Sequence, residues 1–466
     1  MNTTEYKTKE EVLKQAQIIL NKSLRGIIPK EDIAKVENDI LNYQNRRKGL
    51  LGELIEWYVF DKKPDGRSEA DFSIAEVELK TTPLKRSSQK QFVSKERLVF
   101  SMIDYDKIVN EKWESSSFLK KNKLILLMFY LWVQNQSIID YEFKFTYLLN
   151  LLEDISKEDI FQIQKDWEYI VAKISRGEAH LLSEGDTYYL GACTKAANSR
   201  VVRDQPRNRI PAKPRAFSLK QQYLNYLIQK ELLGEKVGTE SIFKKQRRIE
   251  TIEDAVRQIF NPYINKTDTQ IVTSLGIKIN NKAKGYKRLL INKIIGIDDG
   301  KIEELEKANV TLKAITLEHT GTLKESMSFP AFDYKDLVTQ VWYDDDKETM
   351  SEFHAQLETK KFLFVIFQKV KGGDKIVLKK VMFWNFPMKD LPEVERVWQK
   401  TIDCINEGKY EDLPKITGSN VAHVRPHGKN AKDTTETPQG TQEMKRCFWL
   451  NAKYIQHAIE NPIDQD

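Results

Sequence analysis

The sequence predicts a mixed α/β protein built as two tandem copies of one domain, each with its own core. Three observations predict it. Ordered stretches of the first half recur in the second. Short apolar strands alternate with amphipathic helices inside each copy. The 466 residues are 40% hydrophobic and 31% charged, the balance of a soluble globular chain. At roughly 100–200 residues per domain, that length allows two or three domains.

The elements follow in order. Residues 48–60, "KGLLGELIEWYVF", set Leu51, Leu54, Ile55 and Tyr58 at helical spacing. Residues 73–82 alternate as a strand, with Val77 and Leu79 on one face. Residues 123–131 form a fully apolar strand, and residues 158–175 read as a second helix.

The repeat is an ordered set of matches. "EVELKTTPLK" (76–85) matches "NVTLKAITLE" (309–318), and "SKERLVFSMIDYDKIV" (94–109) matches "LKESMSFPAFDYKDLV" (323–338). "KLILLMFY" (123–130) matches "KFLFVIFQ" (361–368), and "RAFSLKQQYL" (215–224) matches "RCFWLNAKYI" (446–455). Trp167 and Gly177 share the spacing of Trp398 and Gly408. The order and similar gaps place one domain at 1–235 and a second at 250–466, joined near the polar stretch 232–248.

Composition excludes several classes. The longest apolar run, "LILLMFYLWV" at 124–133, is far below the roughly 20 residues of a membrane helix. The polar N-terminus lacks the apolar segment of a signal peptide. Cys193, Cys404 and Cys447 form no CxxC pair, which fits a reducing cytoplasm and no structural zinc. His180, His319, His354 and His457 have no metal-ligand spacing, and His423 and His427 flank a proline; these read as surface or DNA-facing residues. The net charge of +7 permits nucleic acid without requiring it. Residues 195–220 are more telling: they carry many Lys and Arg, a single acid, Asp204, and three prolines. A stiffened basic segment with asparagines and serine suits phosphate contact.

The chemistry concentrates in "DFSIAEVELKTTPLK", residues 71–85. On a strand, Glu78 and Lys80 share a face, and Asp71 can fold back toward Glu78. Two carboxylates suit Mg²⁺, which takes few protein ligands and keeps several waters. Lys80 can position the attacking water and offset charge on the phosphate. Taken alone, the D-x₆-E-x-K spacing equally describes a strand with a solvated Glu–Lys face, which Glu76 would join. Duplication supplies an internal control. Aligning the copies sets Glu56 against Asn292 and Glu78 against Thr311, while Lys80 keeps Lys313 and Lys48 keeps Lys284. The acids vanish together and the apolar frame remains, as in one active and one inactive copy.

"KGLLGELIEWYVF", "DFSIAEVELKTTPLK", "KAANS" and "RAFSLK", in that order, closely resemble the MutH family. The tandem arrangement resembles the MutH-like type II restriction endonucleases that cut both strands at 5′-GATC-3′. The resemblance implies restriction-endonuclease-like domains, each a mixed sheet flanked by helices. It implies Glu56, Asp71, Glu78 and Lys80 as the catalytic set. Mg²⁺ would be held by Asp71, Glu78, the carbonyl of Leu79 and Glu56. Lys48, Lys195, Asn198, Arg215, Arg425, Pro426 and His427 would contact DNA. The Arg-Pro pair that such chains use to read bases stands at Arg425-Pro426, whereas Cys193 and Thr194 occupy its place in the first copy. The tyrosine expected after "RxF" is replaced by Ser218 and Trp449.

The implied protein is a cytoplasmic restriction enzyme acting on double-stranded DNA, with a DNA methyltransferase as its functional counterpart and no membrane partner. A mismatch-repair nickase and a non-catalytic DNA-bridging protein are the alternatives. One or two GATC sites held at once, and a monomer or a transient dimer on DNA, both stay open.

Overall fold

The computed structural model describes residues 5–43, 49–64, 69–196, 200–235, 238–243, 248–297, 301–344, 349–430 and 432–462. The same succession of elements runs twice along it. The first half contains helix α1 (Leu50–Tyr58), strands β1 (Glu78–Arg86), β2 (Leu98–Met102), β3 (Leu124–Leu131) and β4 (Glu142–Asn150), helix α2 (Lys157–Ser175), and strands β5 (Leu190–Thr194) and β6 (Arg215–Leu219). The second half contains α3 (Tyr286–Ile295), β7 (Val310–Leu317), β8 (Met327–Ala331), β9 (Lys361–Lys369), β10 (Ile376–Asn385), α4 (Leu391–Asn406), β11 (Ala422–Pro426) and β12 (Arg446–Leu450).

Pairing repeats as well. β1 runs parallel to β3, and β3 antiparallel to β4; β7, β9 and β10 do the same. A smaller antiparallel sheet has the order β2-β6-β5 in one half and β8-β12-β11 in the other. Local devices recur with it. Glycine caps the start of both α1 and α3, at Gly49 and Gly285. Gly177 and Gly408 follow α2 and α4 with φ of 79° and 68°, the left-handed conformation that favours glycine. A Cβ on Gly177 would also stand 2.9 Å from Cβ of Asn208.

Two expectations are corrected. Residues 73–76 form a turn, and the strand begins at Glu78. Reciprocal backbone bonds between Phe72 and Val77 close that turn, with Glu76 exposed at φ 54°. Glu76 therefore does not share a strand face with Glu78. The match of "KLILLMFY" to "KFLFVIFQ" is also out of step by one residue. Glu78 pairs with Ile125 and Thr311 with Phe362, so Ile125 corresponds to Phe362. A continuous apolar run has no alternation to fix its register, and a one-residue slip exchanges the two faces.

Faces define the layers. Leu126 and Met128 point into a core built with α1 and the N-terminal helices, joined by Leu79 of β1. Ile125, Leu127 and Phe129 point the other way, toward α2 and the small sheet. That core continues without a break into Leu290 and Ile291 of α3 and Leu363, Val365 and Phe367 of β9. The opposite face of β9, with Phe362, Phe364 and Ile366, forms a third core with α4 and the second small sheet. Instead of two separate interiors, the middle one is shared across the join. The helix face of the second half thus packs on the small-sheet face of the first.

Buried ion pairs cross the same join. Lys307 lies 2.7 Å from Asp159 of α2, and Arg215 lies 3.4 Å from Glu358, with all four side chains almost fully buried. Among the described residues no helix is long and apolar enough to cross a membrane.

Candidate active site

β1 is the first strand after the turn at residues 72–77, and that turn sets Asp71 beside Glu78. The N–H of Asp71 donates to Oε2 of Glu78 at 3.3 Å, and the N–H of Leu79 donates to Oδ2 of Asp71 at 2.8 Å. Nζ of Lys80 donates to Oε1 of Glu78 at 2.7 Å. Parallel pairing of β1 with β3 then brings the residues preceding β3 to the same carboxylate. Nζ of Lys121 lies 3.7 Å from Oε1 of Glu78.

Glu78 is only 2% exposed. Burial pushes its carboxyl above the usual carboxylate range; Lys80 pulls it back, Asp71 pushes it further, and Lys121 pulls against that. A buried carboxylate is costly unless paired and hydrogen-bonded, and this one has cations on one side and a second acid on the other. Asp71 and Glu78 are hard oxygen donors whose mutual repulsion a divalent cation would relieve. Among the described residues no three Asp, Glu, His or Cys side chains converge as a metal-ligand group. Two adjacent carboxylates fit a cation that takes few protein ligands and completes its sphere with water.

Glu56 is not gathered into this pair. It projects from α1, and its Oε2 lies 2.6 Å from Nζ of Lys62, with both side chains largely buried. The helix-to-strand contact brings α1 against β1, but the local lysine takes up this carboxylate.

The remaining expected residues fall in different settings. Lys48 and Asn198 lie outside the described residues. Arg215 is a correction: it is 4% exposed and donates to the carbonyls of Ala192 (2.9 Å) and Leu182 besides pairing with Glu358. Its guanidinium binds the two halves together and is not available to DNA. Lys195 is half-buried. It lines a cleft of about 460 Å³ that Arg97 and Thr194 share with Thr349, Met350 and Thr359 of the second half.

The basic segment after Lys195 is a hairpin, Arg203–Gln205 against Asn208–Ala212, with Arg203, Arg207 and Arg209 exposed. Gln205 anchors it beneath, accepting from the N–H of Ala179 at 2.7 Å.

Strand register sets the Arg-Pro pair against its first-half counterparts. Cys193 and Thr194 pair with Ala216 and Arg215 on β6, as Arg425 and Pro426 pair with Cys447 and Arg446 on β12. Cys193 is buried, whereas Arg425, Pro426 and His427 are exposed. The Arg425 guanidinium sits 4.7 Å from the centroid of the Trp449 ring, and His427 meets the same ring edge-on at 5.6 Å. Trp449 stands where Ser218 stands in the first half. His423 is corrected to a buried residue, held 2.5 Å from Oδ1 of Asn451. His354 is buried as well, 2.9 Å from Glu358.

Lys121 was not foreseen. Nothing in "FLKKNK" distinguishes it from Lys120 or Lys123, because only the parallel β1–β3 pairing sets its position against Glu78.

Residues 60–166, which contain this site, match the family model described as DNA mismatch repair enzyme MutH. The MutH proteins of Shigella flexneri serotype 5b (strain 8401) and Escherichia coli O6:K15:H31 (strain 536 / UPEC) are each 27% identical over 232 residues. Those matches cover 48% of this chain and 94% of each MutH protein. The type II restriction enzyme Sau3AI of Staphylococcus aureus is 31% identical over 503 aligned positions, covering 98% of this chain and 99% of that enzyme. A match complete in both chains accounts for the duplicated architecture as well as the acid site: this chain belongs to the family of MutH-like type II restriction endonucleases.

Proposed function

We propose that the chain hydrolyses phosphodiester bonds at 5′-GATC-3′ in double-stranded DNA, cutting both strands with Mg²⁺. Residues 1–235 form the catalytic domain, and residues 250–466 form a DNA-binding effector domain without the acids. The observation that carries this reading is the cluster of Asp71, Glu78 and Lys80 in one half, set against Thr311 and Lys313 at the matching strand positions of the other.

Asp71, Glu78 and the carbonyl of Leu79 would hold the Mg²⁺, with Glu56 as an outer acid. The cation supplies Lewis-acid charge and lowers the pKa of water. Lys80 orients the attacking water and offsets the charge that builds on the phosphate. Lys121, the second cation on Glu78, favours the ionised carboxylate against the effect of burial. Arg425 reads guanine O6 and N7 as a bidentate donor, with Trp449 holding its plane. The hairpin arginines and Lys195 add phosphate contacts, which position the duplex without reading sequence.

The test is incubation of a mapped, unmethylated plasmid with the protein and Mg²⁺, followed by sequencing of the ends. Double-strand breaks at every GATC are expected. Nicks alone at those sites would favour the repair-type activity, and breaks elsewhere would overturn the recognition sequence.

A further inference from the structure

The second half keeps Lys313 at the position of Lys80 after losing the acids, and a second lysine, Lys360, lies on the same face of the sheet. Thr311, Lys313 and Ile315 alternate on one face of β7. Ile315 belongs to the core under the second small sheet, so Thr311 and Lys313 point toward that sheet, as Glu78 and Lys80 do in the first half.

Lys360 immediately precedes β9. Lys361 is fully buried, with its ammonium 4.7 Å from the ring centroid of Tyr188 on the opposite side. Strand alternation therefore sends Lys360 to the face of Phe362 and Phe364. In the first half the second lysine comes from a different place, Lys121 in the helix Ser117–Asn122 that leads into β3, whereas Lys360 matches Lys123 in register. Burial holds the Lys313 ammonium below its ordinary value, and Lys360 adds to that effect. Burial lowers Lys360 too, with Glu306 pulling the other way.

In the first half the two cations share a carboxylate at 2.7 and 3.7 Å. In the second half that carboxylate is Thr311, and Nζ of Lys313 instead donates to the carbonyl of Ser328 at 3.0 Å. The backbone carbonyl satisfies one N–H of the ammonium and does not neutralise its charge. Ser328 is paired across the small sheet with Trp449, the ring beneath Arg425. Lys313 and the Arg425 guanidinium thus flank the same residue pair.

We propose that Lys313 and Lys360 form a phosphodiester-binding site that works without a divalent cation, at the position where the first half carries its acids. The proposal rests on the reading of the second half as a DNA-binding domain and adds how it holds the backbone. Where Asp71 and Glu78 need a cation between themselves and a phosphate, the second half presents the positive charge directly. DNA is then captured by the second half in the absence of metal, with Arg425 reading a base beside the phosphate that the lysines hold.

The test uses the full-length protein in EDTA, where cleavage is silent, with binding of a GATC duplex and a scrambled duplex followed at several salt concentrations. Lys313→Met and Lys360→Met should each weaken binding to both duplexes alike. Each should also reduce the slope of log affinity against log salt by about one, because a phosphate contact carries no sequence information. Lys313→Arg should retain the wild-type slope. Thr311→Glu, which restores the carboxylate that Lys80 holds in the first half, should reproduce the loss by pairing with Lys313. Adding inorganic phosphate at constant ionic strength should leave the wild-type affinity unchanged if the site takes the DNA backbone, and displacement by phosphate would make it a free-anion site.

Wild-type affinity and slope in both methionine variants would overturn the lysine site. If Arg425→Ala still weakens GATC binding in that case, the second half binds DNA by other contacts. If Arg425→Ala is also without effect, the reading of the second half falls as well.

Discussion

Replacing Lys307 by methionine should destabilise the whole protein, because it strands an acid inside the join between the halves. Nζ of Lys307 lies 2.7 Å from Oδ2 of Asp159 and 2.7 Å from Oε1 of Glu303. It also stands 4.2 Å from the ring centroid of Tyr226. Burial alone would lower this ammonium, but Asp159 and Glu303 together hold it above its ordinary value of 10.5. Stability gained by a raised lysine is fully present below the unfolded value and is lost only as pH climbs through the folded one. The contribution is therefore constant across neutral pH.

Without the ammonium, Asp159 keeps the Tyr223 hydroxyl at 2.7 Å but has no compensating charge. Removing one partner of a buried pair costs about 3–5 kcal/mol. At about 2.1 cal/mol/K of unfolding entropy per residue, a 466-residue chain that melts as one unit loses about 3–5 °C in Tm. The shift is about twice that if only half the chain melts with the pair. Denaturant titration and calorimetry at pH 7 measure both quantities. Adding Asp159→Asn to Lys307→Met removes the stranded charge and should recover a large part of the loss. A cost below ~1 kcal/mol for Lys307→Met, or simple additivity of the two substitutions, would refute a desolvated, coupled pair.

Asp71→Asn, Glu78→Ala and Lys80→Ala should each reduce plasmid cleavage by roughly 10²-fold or more while duplex binding persists, and near wild-type turnover in any purified variant would remove that residue from the site. Arg425→Ala should cost about 1–3 kcal/mol on a GATC duplex and little on a scrambled one, titrated with the full-length protein at one salt concentration; equal losses would make Arg425 a backbone contact. Lys220 is fully enclosed and donates to the carbonyls of Thr187 and Ala308, and burial lowers its ammonium from 10.5 to about 7. The unfolded chain then binds the extra proton between those values, so stability rises with pH across that window. Lys220→Met should flatten that rise between pH 7 and 9, and an unchanged slope would show that Lys220 titrates normally.

The sequence by itself determined the local chemistry and the repetition. The spacing of Asp71, Glu78 and Lys80 was legible because one strand and one turn are enough to bring them together. The helices at Leu50–Tyr58 and Lys157–Ser175 were legible from apolar periodicity. Tertiary structure decided everything that depends on which strand lies beside which. Lys121 reaches Glu78 only because β1 pairs in parallel with β3, and no spacing along the chain encodes that neighbour. The one-residue offset between the two apolar strands was hidden because a strand buried on both faces carries no alternation.

Arg215 looked like a DNA contact in a basic stretch, and a buried partner from the other half, Glu358, made it structural. Glu56 looked like a metal ligand on an apolar helix, and the fold pairs its carboxylate with Lys62. Charge in a sequence has no address until burial and partners are fixed, because the same guanidinium or carboxylate is solvated, paired or catalytic according to what the fold sets within a few ångströms of it.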